Sequence, residues 1–321
     1  MGRGAPILPK AIEADRHEFE GRAGKLSYYV DGPHNSASVP PLLLIHSINA
    51  AGSAYEVKPI FETLRRSRQV YAVDLPGFAF ADRSERPYTV RLFVDAVKDI
   101  TDQITSTEQV PAIDALAISL SSEFLARAAV ELPDAFRSLT LVTPTGFSRR
   151  SGGKPGPEGS TREVPGLHAI FTFPLWRKSF FSALTSRRSI RYFLRKTFGR
   201  QDIDGGLAEY DYLTTHQPGA DRAPFAFVSG RLFSRDIRKL YEKLELPIWM
   251  PHGTKGDFGD FSQADWVRAR QNWRVSSYET GALPHFEQPA QFNEEFLGFL
   301  ERPSASAQLD PSAPLDASAM P

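Results

Sequence analysis

The sequence predicts an α/β fold, with a mostly parallel central sheet, helices on both faces and a helical insertion. Three observations carry that prediction. Leu42–Ile45, Val70–Val73, Ile113–Ile118 and Leu139–Val142 are short, almost wholly apolar runs, as strands buried on both faces must be. Helix-period segments separate them, such as Ser122 to Leu132. The rhythm breaks at Gly146 and resumes at Leu246-Pro247-Ile248-Trp249-Met250, so one core is written in two blocks.

Taken in order, alternating apolar positions around a Gly-rich turn make Glu18 to Asp31 a hairpin. A Pro/Ser/Asn linker runs from Gly32 to Pro41, and the core strands and helices follow. Residues 149–200 hold 12 Lys/Arg against only Glu158 and Glu163, interleaved with aromatics. This stretch opens on Ser151–Pro157, whose glycines and prolines exclude regular structure. A last helix spans Pro289 to Glu301, and the Ser/Ala/Pro-rich tail beyond Arg302 is too poor in apolar residues to fold. The expected units are residues 1–146 and 246–302 for the core, 147–245 for the insertion and 303–321 for a disordered tail.

Composition removes several function classes. Lys+Arg and Asp+Glu each number 38 in 321 residues, so no basic surplus points to nucleic acid. With no cysteine there is no disulfide, thiol nucleophile or zinc-thiolate site. No apolar run is long enough to cross a bilayer, and the first residues lack a signal-peptide core, so the expectation is a cytoplasmic protein. No G-x-G-x-x-G follows a strand, and neither a phosphate-binding lysine loop nor H-E-x-x-H is present.

The chemistry begins where the third core strand ends, at Ala117-Ile118-Ser119-Leu120-Ser121-Ser122. A serine between an apolar strand and an immediate helix sits on a sharp turn, its hydroxyl exposed at the sheet edge. The Leu120 N–H then points where an oxyanion would form. The plainer alternative is a serine N-cap. After the first core strand, His46-Ser47-Ile48-Asn49 suits a second oxyanion donor, the N–H of Ile48 or Ser47; the alternative is a turn with a structural histidine.

The strand ending in His46-Ser47, then Asp74-Leu75-Pro76-Gly77-Phe78, then the Ser119 elbow resembles the α/β-hydrolase fold superfamily in its lid-bearing branch. The resemblance runs from about Leu42 to Leu300. It implies the order Ser…Asp/Glu…His, which Ser119, Asp257 and His285 supply. His285 is then the general base, titrating near pH 7, and Asp257 orients its imidazole; Asp260 is the rival acid. The insertion is then a lid, with Phe171, Phe173 and Trp176 on its apolar underside against substrate. Contact with a membrane surface or an anionic substrate is compatible with its basic, aromatic composition; a nucleic-acid patch is a further reading of that composition, and a solvated face is the plain alternative. Ala117, Ser121 and Ser47 stand where the resemblance implies glycine, which narrows the site or marks a non-catalytic member. A serine at the elbow also disfavours epoxide hydrolases and haloalkane dehalogenases, which place aspartate there.

The function expected is a serine hydrolase cleaving an ester or related acyl bond of a small molecule through an acyl-enzyme, with no cofactor and no metal. The alternatives are a non-catalytic binding or scaffold protein of the same fold, and a C–C bond hydrolase or lyase with the same triad.

Overall fold

The computed structural model describes residues 4–34, 39–148 and 156–303. Most of the expected Ser151–Pro157 loop and the tail after Pro303 lie outside them. The strands are β1 (Asp15–Gly21), β2 (Gly24–Asp31), β3 (Leu42–Ile45), β4 (Val70–Asp74), β5 (Ile113–Ile118), β6 (Phe136–Val142), β7 (Ile248–Gly253) and β8 (Trp273–Tyr278). They form one sheet in the order β1-β2-β4-β3-β5-β6-β7-β8. The β1–β2 hairpin joins antiparallel, β2 pairs antiparallel with β4, and every later pairing is parallel.

Parallel neighbours need crossovers, and helices supply them on both faces. The helices of the first block are α1 (Lys58–Leu64), α2 (Val90–Glu108) and α3 (Ser121–Glu131). Side chains of a strand alternate between faces, so β3 splits its four apolar residues. Leu43 and Ile45 join Val97 and Phe124 on one side; Leu42 and Leu44 join Phe61 and Phe292 on the other. Both sides are dry cores, which is why these strands lack a polar face.

Among the described residues, six helices intervene between β6 and β7: α4 (Leu167–Phe171), α5 (Arg177–Leu184), α6 (Arg187–Phe198), α7 (Gly205–Thr215), α8 (Arg222–Val228) and α9 (Ile237–Glu242). Their own small core centres on Phe225, Phe181 and Phe171. The insertion is tied to the first block by Arg83, which donates to the Thr214 carbonyl at 3.0 Å. The chain closes with α10 (Asp265–Arg268), α11 (Pro284–Glu287) and α12 (Pro289–Glu301).

One strand has no signature in the sequence. The edge strand β8 buries Trp273 and Tyr278 but carries Arg274, Ser276 and Ser277 between them. Arg274 and Ser276 are satisfied by Glu295 of α12, at 3.4 and 2.8 Å.

Candidate active site

The parallel strands β3, β5, β6 and β7 all end at one edge of the sheet, and the groups of interest gather there. Ser119 follows β5 and adopts the left-handed conformation, φ 55°, which side-chain-bearing residues rarely take. Its N–H donates to Val142 O of β6 at 2.9 Å, and α3 begins two residues later. Ser119 is partly exposed, and its Oγ makes no hydrogen bond to another described residue.

The side chains that stand in place of glycine are accommodated. Ser121 is fully buried and its Oγ donates to His46 O at 2.6 Å, fastening the loop after β3 to the start of α3. Ser122 Oγ returns to Ala117 O at 3.2 Å. Ser47 is also engaged: its N–H and Oγ both donate to the Glu56 carboxylate, at 2.7 and 3.1 Å, and Asn49 Nδ2 adds a third bond at 2.7 Å. The Ser47 N–H is therefore spent. The N–H groups of Ile48 and Leu120 have no acceptor among the described residues.

His46 is structural. Its Nε2 accepts from Leu75 N–H at 3.0 Å, and Nδ1 faces Ser47 O at 2.6 Å. Burial pushes its pKa down to about 4, so the ring is neutral and joins the β3 loop to the Asp74-Leu75-Pro76-Gly77 loop. Asp74 accepts from Ala54 N–H at 3.0 Å, and burial raises its pKa to about 6.

Among the described residues no hydrogen bond joins Ser119, His285 and Asp257. His285 lies in α11, whose first residue Pro284 has the fixed φ of a helix start. That turn carries the ring inward: it is fully buried, and its Nε2 donates to Glu56 O at 2.8 Å rather than to Ser119. Its Nδ1 has no partner, so no carboxylate orients it. Burial pushes its pKa to about 4, well below the value near 7 expected of a working base. Asp257 is half-exposed and pairs with Lys196 at 3.5 Å. Asp260 is exposed, with Oδ1 accepting from Ser262 N–H and Oγ at 3.1 and 2.6 Å.

The three aromatics also divide. Phe171 packs inside the insertion, stacked on Phe180 and Phe225 at 5.4 and 6.0 Å. Phe173 and Trp176 pair at 4.6 Å and remain almost half-exposed.

Two buried acids beside the site carry no signal in their local sequence. Glu56 is buried; its carboxylate holds the β3 loop while its carbonyl holds His285. Asp211 of α7 is buried within electrostatic reach of Glu56 and Asp204. Its Oδ1 has no hydrogen-bond partner, and burial drives its pKa well above the usual carboxylate range. Among the described residues no cluster of His, Cys, Asp or Glu could hold a metal ion.

A serine held in a left-handed turn at the end of a central parallel strand, with the flanking loop after β3, defines an α/β protein of the nucleophile-elbow class. The sequence model of the alpha/beta hydrolase family matches residues 42–295, and the chain belongs to that family. Among solved structures, an epoxide hydrolase, CorEH, is similar with TM-score 0.67 and 18% identity, covering 89% of this chain and 98% of its own. The meta-cleavage product hydrolase CumD of Pseudomonas fluorescens IP01 gives 0.66 and 17%, covering 88% and 96%. The carboxylesterase CesB of Bacillus subtilis gives 0.63 and 16%, covering 90% and 92%. At these identities the likeness is one of fold. No curated protein sequence matches the chain.

Proposed function

We propose that the chain is a serine hydrolase acting on an ester or other activated acyl bond of a small molecule, with Ser119 forming the acyl-enzyme. The observation that supports this best is Ser119 itself: left-handed backbone at the strand end, a partly exposed and unengaged hydroxyl, and two unengaged N–H groups, Ile48 and Leu120, on the adjoining segments. In this reading those N–H groups hold the oxyanion, and binding there costs no reorganisation. His285 serves as base only after its Nε2 leaves Glu56 O, and no carboxylate stands behind it. A base without its acid partner runs about 10⁴-fold slower, because the imidazole is not held in the needed tautomer. Acylation by reactive esters with very slow turnover is the expected behaviour.

The same placement of His285 and Asp257 favours a second reading, a non-catalytic member in which the elbow and oxyanion loop bind a carbonyl or carboxylate ligand. A fluorophosphonate probe followed by peptide mapping separates the two. Modification of Ser119 supports the hydrolase; folded protein that stays unlabelled sinks it and leaves the binding module. Ester against C–C bond chemistry is decided by a panel of p-nitrophenyl esters and vinylogous diketones, since the fold neighbours include both an esterase and a meta-cleavage product hydrolase.

A further inference from the structure

We propose that the exposed apolar face of the helical insertion at Ile170–Phe180 docks on an anionic lipid bilayer. Large apolar side chains left exposed are concentrated on this segment rather than scattered: Ile170, Phe173, Leu175, Trp176 and Phe180 lie within eleven residues of one another, and Leu175 is 82% exposed. They form one local patch. Trp176 Nε1 donates to Ile170 O at 2.9 Å, which fixes the indole beside Phe173, and Phe180 stacks on Phe171 behind them. Single exposed apolar residues need no explanation, but a contiguous patch does.

Charge selects the occupant. Residues 149–200 carry 12 Lys/Arg and two acids, while the whole chain is formally neutral, so the positive charge is local to this lobe. Lys178, on the same helix as Phe180, and Arg188, Arg191 and Arg195 on the next helix form no ion pair among the described residues. A second copy presenting this face would bring two basic lobes together, which repel. Nucleic acid would match the charge but offers nothing for Leu175 and Ile170, whereas an acyl layer beneath anionic headgroups meets both demands. Between α5 and the α7–α8 turn opens a cavity of about 690 Å³ lined by Arg177, Lys178 and Arg222, with Thr172 and Pro174 alternating with the apolar patch. Lys178 is the unpaired cation there, placed to meet a lipid phosphate. This docking depends on the surface alone and stands whether or not Ser119 turns over.

The test is flotation of the full chain with vesicles of phosphatidylcholine alone and of phosphatidylcholine with phosphatidylglycerol. Binding is expected to the anionic vesicles only and to weaken as salt is raised, because exposed charges are screened. Brominated lipid should quench an emission component that is missing in Trp176→Phe. Leu175→Asp, at a position too exposed to endanger folding, should abolish binding. Arg188→Gln with Arg191→Gln should weaken it by roughly fivefold per charge removed. Equal binding to neutral vesicles, unchanged binding of Leu175→Asp, or no binding to anionic vesicles at low salt overturns the proposal. So does dimerisation without vesicles that Leu175→Asp abolishes, since the face would then belong to a second copy.

Discussion

His285 donates from Nε2 to the backbone carbonyl of Glu56 across 2.8 Å, while the Glu56 carboxylate takes the Ser47 N–H at 2.7 Å. One acidic residue therefore holds both the histidine that would activate Ser119 and the loop that would receive the oxyanion. In this arrangement the bond that His285 makes goes to Glu56 rather than to Ser119, so under the proposed function the base is not engaged in the resting site.

The pH profile reads this arrangement directly. With the buried His285 at about 4, the neutral base is already present at pH 5, and kcat/KM for a p-nitrophenyl ester should lose its acidic limb only near pH 4. A limb near pH 7 would show that His285 already rests in solvent, off Glu56 O, in the free enzyme.

Asp257→Asn should leave ester hydrolysis and fluorophosphonate labelling within about twofold of the parent, because its half-exposed carboxylate meets Lys196 and surface pairs contribute little. A loss of kcat approaching 10⁴-fold would restore it as the orienting acid and overturn the arrangement described here.

At the elbow, Ser119→Gly should abolish labelling and raise stability by up to about 1 kcal/mol, since glycine adopts a positive φ without steric cost. Denaturant unfolding measures the second effect. A destabilised variant would mean that Ser119 is not strained.

Ser121→Ala removes the donor to His46 O and leaves that carbonyl buried and unpaired. The expected cost is about 1–3 kcal/mol in thermal or urea unfolding, with weaker labelling of Ser119 as the β3 loop loosens. Unchanged labelling would show that the loop is held in place without this tie.

Glu123 is buried in α3, accepting from Thr145 Oγ1 and from Ser234 N–H at 2.8 Å, and burial lifts its pKa to about 7. The folded value lies above the unfolded one, so the stability that protonation confers is complete below about pH 4.5. It is lost as pH rises toward 7, by up to about 1.4 kcal/mol per unit. Glu123→Gln should flatten that slope, gaining on the parent at pH 8 relative to pH 5. Parallel stability curves for the two proteins would refute it.

Local pattern along the chain encodes the core strands, the last helix and the elbow. Leu42–Ile45, Ile113–Ile118 and Pro289–Glu301 fold over the spans their apolar periodicity marks, and a serine between an apolar strand and a helix marks the elbow. The same pattern hid β8, because an edge strand with Arg274 and Ser276 satisfied by a helix 19–21 residues away carries no local apolar signature. The partners of His285, Asp257 and Glu56 are set by long-range packing instead. Order along the chain places a histidine after an acid and before the last helix, but one turn begun by Pro284 aims its ring at a carbonyl 229 residues earlier. Hydrogen bonds reach across only about 3 Å, so whether a serine, a histidine and an aspartate act together depends on ring direction and loop path, which spacing in sequence does not specify.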